Sequence, residues 1–115
     1  MALAVGMGAF GAHGLRNRLD AYSMSVYEKA VFYHFVHALG ILLVALLART
    51  LTITPVAQAR VAWLLFIGIV IFSGSLYALA ITGVRMLGAI TPIGGLAFIV
   101  GWIVLAVEAL RMQKS

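Results

Sequence analysis

Apolar residues fall into four long runs, separated by short polar breaks, and the runs predict four helices. A helix that crosses a bilayer needs roughly 20 mainly apolar residues. Residues 61–82 meet that length with no charged side chain, and residues 86–110 meet it with Pro92 near the start and Glu108 near the end. A second run, residues 26–48, opens where Ser25 can cap a helix and Glu28 follows three positions later, the pattern of a capping box. It ends before Arg49. The first run, residues 1–15, is apolar and glycine-rich but too short to cross. It is either a half-span or the latter part of a longer first helix, and the second reading is preferred. Residues 17–22 and 50–58, the latter holding Pro55, read as polar connections, and residues 83–85 as a tight turn. The expected fold is all-α: a polytopic membrane four-helix bundle with its first helix truncated, forming a single integral membrane domain over residues 1–115.

Composition makes lipid the solvent. Hydrophobic residues form 64% of the 115-residue chain and charged residues 10%, whereas soluble domains are about half apolar and about a quarter charged. So short a chain buries only part of its surface and cannot hide that excess in an aqueous core. The net charge of +5 is dispersed over single basic residues between the runs. That suits headgroup contact and argues against nucleic acid as a partner. With no cysteine, disulfide and thiolate chemistry are excluded. Residues 1–12 lack the basic start of a cleavable signal peptide. Taking the ends of helices one and three as side B, each side carries four basic residues, so the positive-inside rule assigns no orientation.

Small residues four apart let helix backbones approach in lipid. Ala4, Gly8 and Ala12 have that spacing, as do Gly74 and Ala78, and Ala97 and Gly101; Gly11 lies in the same glycine-rich first run. Pro92 with Gly94 and Gly95 marks a late start, kink or break in helix four, the simplest case being a proline in the first turn.

Drawn as a wheel of 3.6 residues per turn, the second run puts Ala30, His34, His37, Ala38, Ile41, Ala45 and Ala48 on one face. Phe32, Phe35, Leu39, Leu42, Leu43 and Leu46 cover the other. Ionisable residues inside a membrane turn inward, so the histidines belong to the packed face. Counted from Ser25 at about 1.5 Å per residue, His34 lies about 13 Å deep and His37 about 18 Å. Helix one brings His13 to side B, helix three Ser73, Ser75 and Tyr77, and helix four Thr91. With Tyr33, these residues form a candidate polar cluster in one membrane half. Tyr33 can reach His37, and Ser73 can reach Tyr77, each pair being four apart. Glu108 can pair with Arg111. The bland alternative for each polar residue is a hydrogen bond that holds helices together. Two histidines three apart could offer two imidazoles to a metal, with His13 or Glu28 as a third ligand. But the spacing is common and no carboxylate or thiolate set joins it, so no metal or cofactor is expected, and no catalytic constellation is present.

Four segments occur together in order: GAFGAHG at 8–14, YHFVHAL at 33–39, FSGSLY at 72–77 and TPIGGLAFIVGW at 91–102. In that combination the chain resembles the small membrane family called domain of unknown function 423, related to transmembrane protein 256. The resemblance covers nearly the whole chain. It implies a four-helix integral protein of the bacterial cytoplasmic membrane, or of the mitochondrial membrane in eukaryotic relatives, with several more apolar residues before GAFGAH. The family's histidines map onto His13 and His37, while the position of His34 is often another polar residue. The resemblance implies no activity.

The expectation is a non-enzymatic membrane protein that binds lipid, a small hydrophobic ligand or partner helices through the side B cluster, as a homo-oligomer and without a cofactor. One alternative is a small oligomeric transporter or channel using the intramembrane histidines, although helix one lacks the embedded carboxylate of small multidrug exporters. The other is a metal-, haem- or quinone-binding membrane protein.

Overall fold

A computed structural model describes residues 1–50 and 53–114. They fold into four helices, with no strand among the described residues. Helix α1 is Ala2–Leu15, widening to π-helical geometry over Gly11–Leu15. Helix α2 is Ala21–Arg49. Helix α3 is Pro55–Thr82, with a π-helical stretch over Ile69–Ser73. A 3₁₀ turn, Arg85–Ala89, leads into α4, Thr91–Lys114. Helices α2 and α3, and the stretch from Arg85 through α4, are each long and apolar enough to cross a membrane. At about 1.5 Å per residue α1 reaches only about 21 Å.

The helix starts are set by caps outside the apolar runs. Helix α2 begins not at the Ser25–Glu28 box but five residues earlier, where the Asp20 side chain accepts the Ser23 N–H at 2.7 Å. Ser25 and Glu28 are exposed residues inside the helix. The expected 17–22 connection therefore shortens. Helix α3 likewise starts at Pro55 rather than Val61. Thr54 caps it by accepting the Ala57 N–H at 3.1 Å, and Pro55 takes the first helical position, where a missing N–H leaves nothing unpaired. Of the expected 50–58 connection, residues 51 and 52 lie outside the described residues. Gly83 ends α3 at φ 73°, in the left-handed region that glycine enters freely. Pro92 falls in the first turn of α4, so the proline starts that helix late, at Thr91 rather than Met86, without breaking it. The helix also runs on past residue 110.

Two apolar cores occupy the two ends of the bundle. Near the α1–α2 connection, Leu15, Val26, Tyr27, Ala30, Leu76, Leu79 and Ala80 pack together. Toward the other end lie Val44, Ile53, Ala57, Val61, Leu65, Phe98 and Leu105. The buried stripe of α2 runs through Ala30, His34, His37, Gly40 and Val44. Phe32, Leu39, Leu42, Leu43 and Leu46 face outward, as the wheel requires; Phe35 is half-buried rather than lipid-facing.

Apart from Gly101, the close helix approaches fall at other glycines than those in the small-residue spacing. A Cβ on Gly94 would stand 2.8 Å from Phe72 Cα, so α3 and α4 touch there backbone to backbone. Gly11 lies under the Tyr27 ring and Gly101 against Leu65, while Gly40 and Gly68, which the spacing did not single out, receive the rings of Trp102 and Phe98. Gly8 and Gly95 are in ordinary contact, and a Cβ on Gly74 would meet nothing within 4 Å. Gly74 is therefore no packing contact.

Candidate functional site

Between the two apolar cores the α2 histidines face α3 and α4. His37 is 5% exposed, and its hydrogen bonding is complete. Nδ1 donates to the Tyr33 carbonyl at 2.8 Å, and Nε2 accepts the Trp102 indole N–H at 3.0 Å. A carbonyl only accepts and an indole only donates, so the two partners fix the neutral ring with its proton on Nδ1. The ring also lies flat on Phe98, centroids 3.5 Å apart at 13°, and parallel to the Tyr33 ring at 5.9 Å. His37 is a pin between α2 and α4.

His34 is arranged differently. Its ring, 6% exposed, meets the Tyr77 hydroxyl through Nδ1 at 3.0 Å. Nε2 has no protein partner among the described residues, and no buried side-chain nitrogen or oxygen among them is left unpaired. Nε2 therefore keeps an opening. Beside the His34 ring lies a half-open cavity of about 450 Å³ between the start of α1, α2 and α3, whose walls include Met1, Leu3, His34, Phe66, Gly74 and Tyr77. Gly74, whose missing side chain leaves space, forms part of its wall.

The remaining candidates divide between other bonds. Ser73, fully buried, donates to the Ala30 carbonyl at 2.8 Å instead of meeting Tyr77. Ser75 and Thr91 share a 2.6 Å hydroxyl bond that ties α3 to the first turn of α4, apart from the histidines. His13 does not join the cluster. In the π-helical turn, Gly11 and Leu15 turn inward and His13 faces out. A single polar cluster thus becomes a histidine layer, Tyr33, His34, His37, Ser73 and Tyr77, plus a separate Ser75–Thr91 link. Depth also changes. With α2 starting at Ala21, His34 stands about 20 Å along the helix and His37 about 24 Å, near its middle.

Trp102 and Tyr27 escaped the sequence reading. An indole N–H kept from water needs an acceptor, so Trp102 in an apolar run was itself a signal that a partner lay across the bundle. The Tyr27 hydroxyl donates to the Met7 carbonyl and ties α1 to α2. Among the described residues no three His, Cys, Asp or Glu side chains come together to hold a metal. Joint chelation by His34 and His37 would also require breaking the Trp102 bond.

The fold and this layer define a small helical membrane protein with a polar, aromatic midsection and one open histidine edge. The chain belongs to the family described as protein of unknown function DUF423, whose profile matches residues 7–95. It is 53% identical over 110 residues to the UPF0382 membrane protein of Staphylococcus saprophyticus, covering 96% of this chain and 89% of that one. It is 54% identical over 109 residues to the UPF0382 membrane protein of Staphylococcus epidermidis, covering 95% and 87%. It is 52% identical over 110 residues to UPF0382 membrane protein YwdK of Bacillus subtilis, covering 95% and 88%. No solved structure matches the chain.

Proposed function

We propose that this protein is a non-enzymatic binding protein of the bacterial cytoplasmic membrane, which takes a small hydrophobic ligand into the cavity beside His34. One observation carries the reading: a nearly buried imidazole whose Nε2 has no protein partner edges a largely apolar cavity. Ligand sites are typically concave, mostly apolar and about 300–1,000 Å³, with a few placed polar groups. A histidine kept only for packing has both nitrogens matched, as His37 does. The bacterial relatives, named as membrane proteins, support the location.

Native mass spectrometry of gently extracted protein tests this. Wild type is expected to retain a bound non-protein mass that Gly74→Leu, which fills the cavity from a position with free space, loses while keeping its fold. The spectrum also reads the homo-oligomer that the small-residue spacing leads one to expect. A ligand-free spectrum for wild type, or equal retention by both proteins, overturns the reading.

A further inference from the structure

We infer that the groove between α2 and α4, at the Lys29 end of the bundle, seats an anionic phospholipid whose phosphate meets the Lys29 ammonium. This site is separate from the cavity beside His34 and does not rest on it.

The groove follows from how the helices pack. Helices α2 and α4 each lie on α3, and the valley between them is half-open, with a volume of about 380 Å³. Tyr22, Ser25 and Lys29 form its α2 wall. They are three and four positions apart and so share one helix face. Phe72 and Leu76 of α3 make its floor, and Thr91 at the start of α4 stands opposite. No residue of α1 lines it.

Charge selects the occupant. Lys29 is the one charged residue along the groove among the described residues. The chain has three acids, and each is placed elsewhere. Asp20 caps α2, and Glu108 pairs with Arg111 at 3.4 Å. Glu28 lines a different cleft, toward α1, together with Arg16. Lys29 therefore has no ion-pair partner among the described residues. A cation at the edge of hydrocarbon is costly without a compensating anion. The groove presents no carboxylate to the ammonium of a zwitterionic headgroup, so a lipid with net negative charge fits it better. The Tyr22 and Ser25 hydroxyls, on the same wall, can donate to phosphate or ester oxygens.

Depth favours a lipid over a dissolved anion. The 29 residues of α2 extend about 43 Å, which matches a bilayer of about 40–45 Å with its headgroups. The hydrocarbon then begins about 6 Å in from each end of α2, and Lys29 lies about 12 Å in. Its flexible stem can carry the ammonium back to the boundary while lying along apolar surface. Lipid headgroups begin at that level. The apolar floor of Phe72 and Leu76 suits an acyl chain and offers nothing to a soluble phosphate.

Native mass spectrometry of full-length protein in non-ionic detergent tests this, by titration with dioleoyl phosphatidylglycerol and, separately, dioleoyl phosphatidylcholine. The two lipids share their chains and differ in headgroup charge. Wild type is expected to bind its first phosphatidylglycerol about fivefold more tightly, the effect of one basic residue at an anionic surface. Lys29→Gln loses that preference with its melting temperature unchanged, and Lys29→Arg keeps it. Ser25→Trp, which fills the polar end of the groove from an exposed position, weakens both lipids. Arg18→Gln removes an exposed cation outside the groove and leaves the preference intact. Equal affinity of wild type for the two lipids, or an unchanged preference in Lys29→Gln, overturns the inference. Equal losses in Arg18→Gln and Lys29→Gln make the preference one of diffuse surface charge and overturn the site. Displacement of phosphatidylglycerol by glycerol 3-phosphate makes it a soluble-anion site and overturns the lipid occupant.

Discussion

The indole of Trp102 donates to Nε2 of His37 at 3.0 Å, joining α4 to α2 between residues 65 positions apart in the chain. Because Nδ1 of the same ring is spent on the Tyr33 carbonyl, each group in the chain of bonds has one role. Removing either partner strands the other in the bundle interior. Trp102→Phe and His37→Phe are each expected to destabilise the protein, and the double substitution to cost less than the sum. Interhelical hydrogen bonds in membranes average about 0.6 kcal/mol by double-mutant cycles, whereas a stranded buried group costs about 1–3 kcal/mol. Lipid-side unfolded chains also find partners, so a coupling near 1 kcal/mol is expected. Unfolding equilibria in mixed detergent micelles measure it, and strict additivity would show that the bond contributes nothing.

Gly94 and Gly74 form a contrasting pair. A methyl group on Gly94 would press on the backbone of Phe72, which has no rotamer to escape into. Overpacking of this kind costs about 1–3 kcal/mol, and Gly94→Ala is expected to fall in that range. Gly74 has helical angles and open space. Gly74→Ala is expected to be neutral or to stabilise by up to about 1 kcal/mol, because glycine gives up more chain freedom on folding than alanine. Thermal unfolding of the two variants in one detergent decides it, and the reverse order would mean that the α3–α4 contact is misassigned.

The same residues show how far the sequence could be read. Four apolar runs and a histidine face on the second were plain from spacing alone, since 3.6-residue periodicity depends only on local order. The start of α2 was not. Ser25 with Glu28 and Asp20 with Ser23 are both competent starts, and local spacing does not rank them; the start falls where Asp20 accepts the Ser23 N–H. Nor was the fate of His13 legible. The end of helix one gives its side of the membrane but not the direction of the side chain, and within the π-helical turn His13 faces out. The partners of His34 and His37 depend on helix crossings that bring distant segments together, which no local spacing encodes.

Asp20 supplies a pH-dependent start to α2. Hydrogen bonds from Ser23, first from its backbone N–H and then from its side chain, hold the Asp20 carboxyl below the ordinary carboxylate range. A depressed pKa in the folded state means that the cap stabilises the helix above the unfolded value of about 3.9 and is lost as pH falls through the lower folded value. Protection of the Ser23 amide against hydrogen exchange, corrected for intrinsic rates, is expected to be steady near neutral pH and to fall below about pH 4. Asp20→Asn, which also caps, is expected to remove that pH dependence while keeping protection, and Asp20→Ala to remove protection at every pH. A wild-type profile flat down to about pH 2.5 would exclude the carboxylate as the cap.

Tyr27 and Gly11 make the attachment of α1 testable. Tyr27 is 1% exposed, its hydroxyl donates to the Met7 carbonyl, and its ring occupies the space in front of Gly11. The contacts of α1 with other helices run chiefly to α2, so its place depends on that helix. Tyr27→Phe keeps the ring and removes the hydroxyl, and is expected to cost about 1 kcal/mol, with faster exchange confined to α1. Gly11→Ala keeps the hydroxyl but drives a methyl group into the ring, and is expected to loosen α1 further. If the clash is the cause, combining Gly11→Ala with Tyr27→Leu should recover part of the loss, because the smaller side chain makes room. Exchange mass spectrometry on peptides from α1, compared with peptides from α4 as an internal control, separates these outcomes. Faster exchange spread evenly over α1 and α4 in Tyr27→Phe would mean that the tyrosine supports the whole bundle rather than docking its first helix.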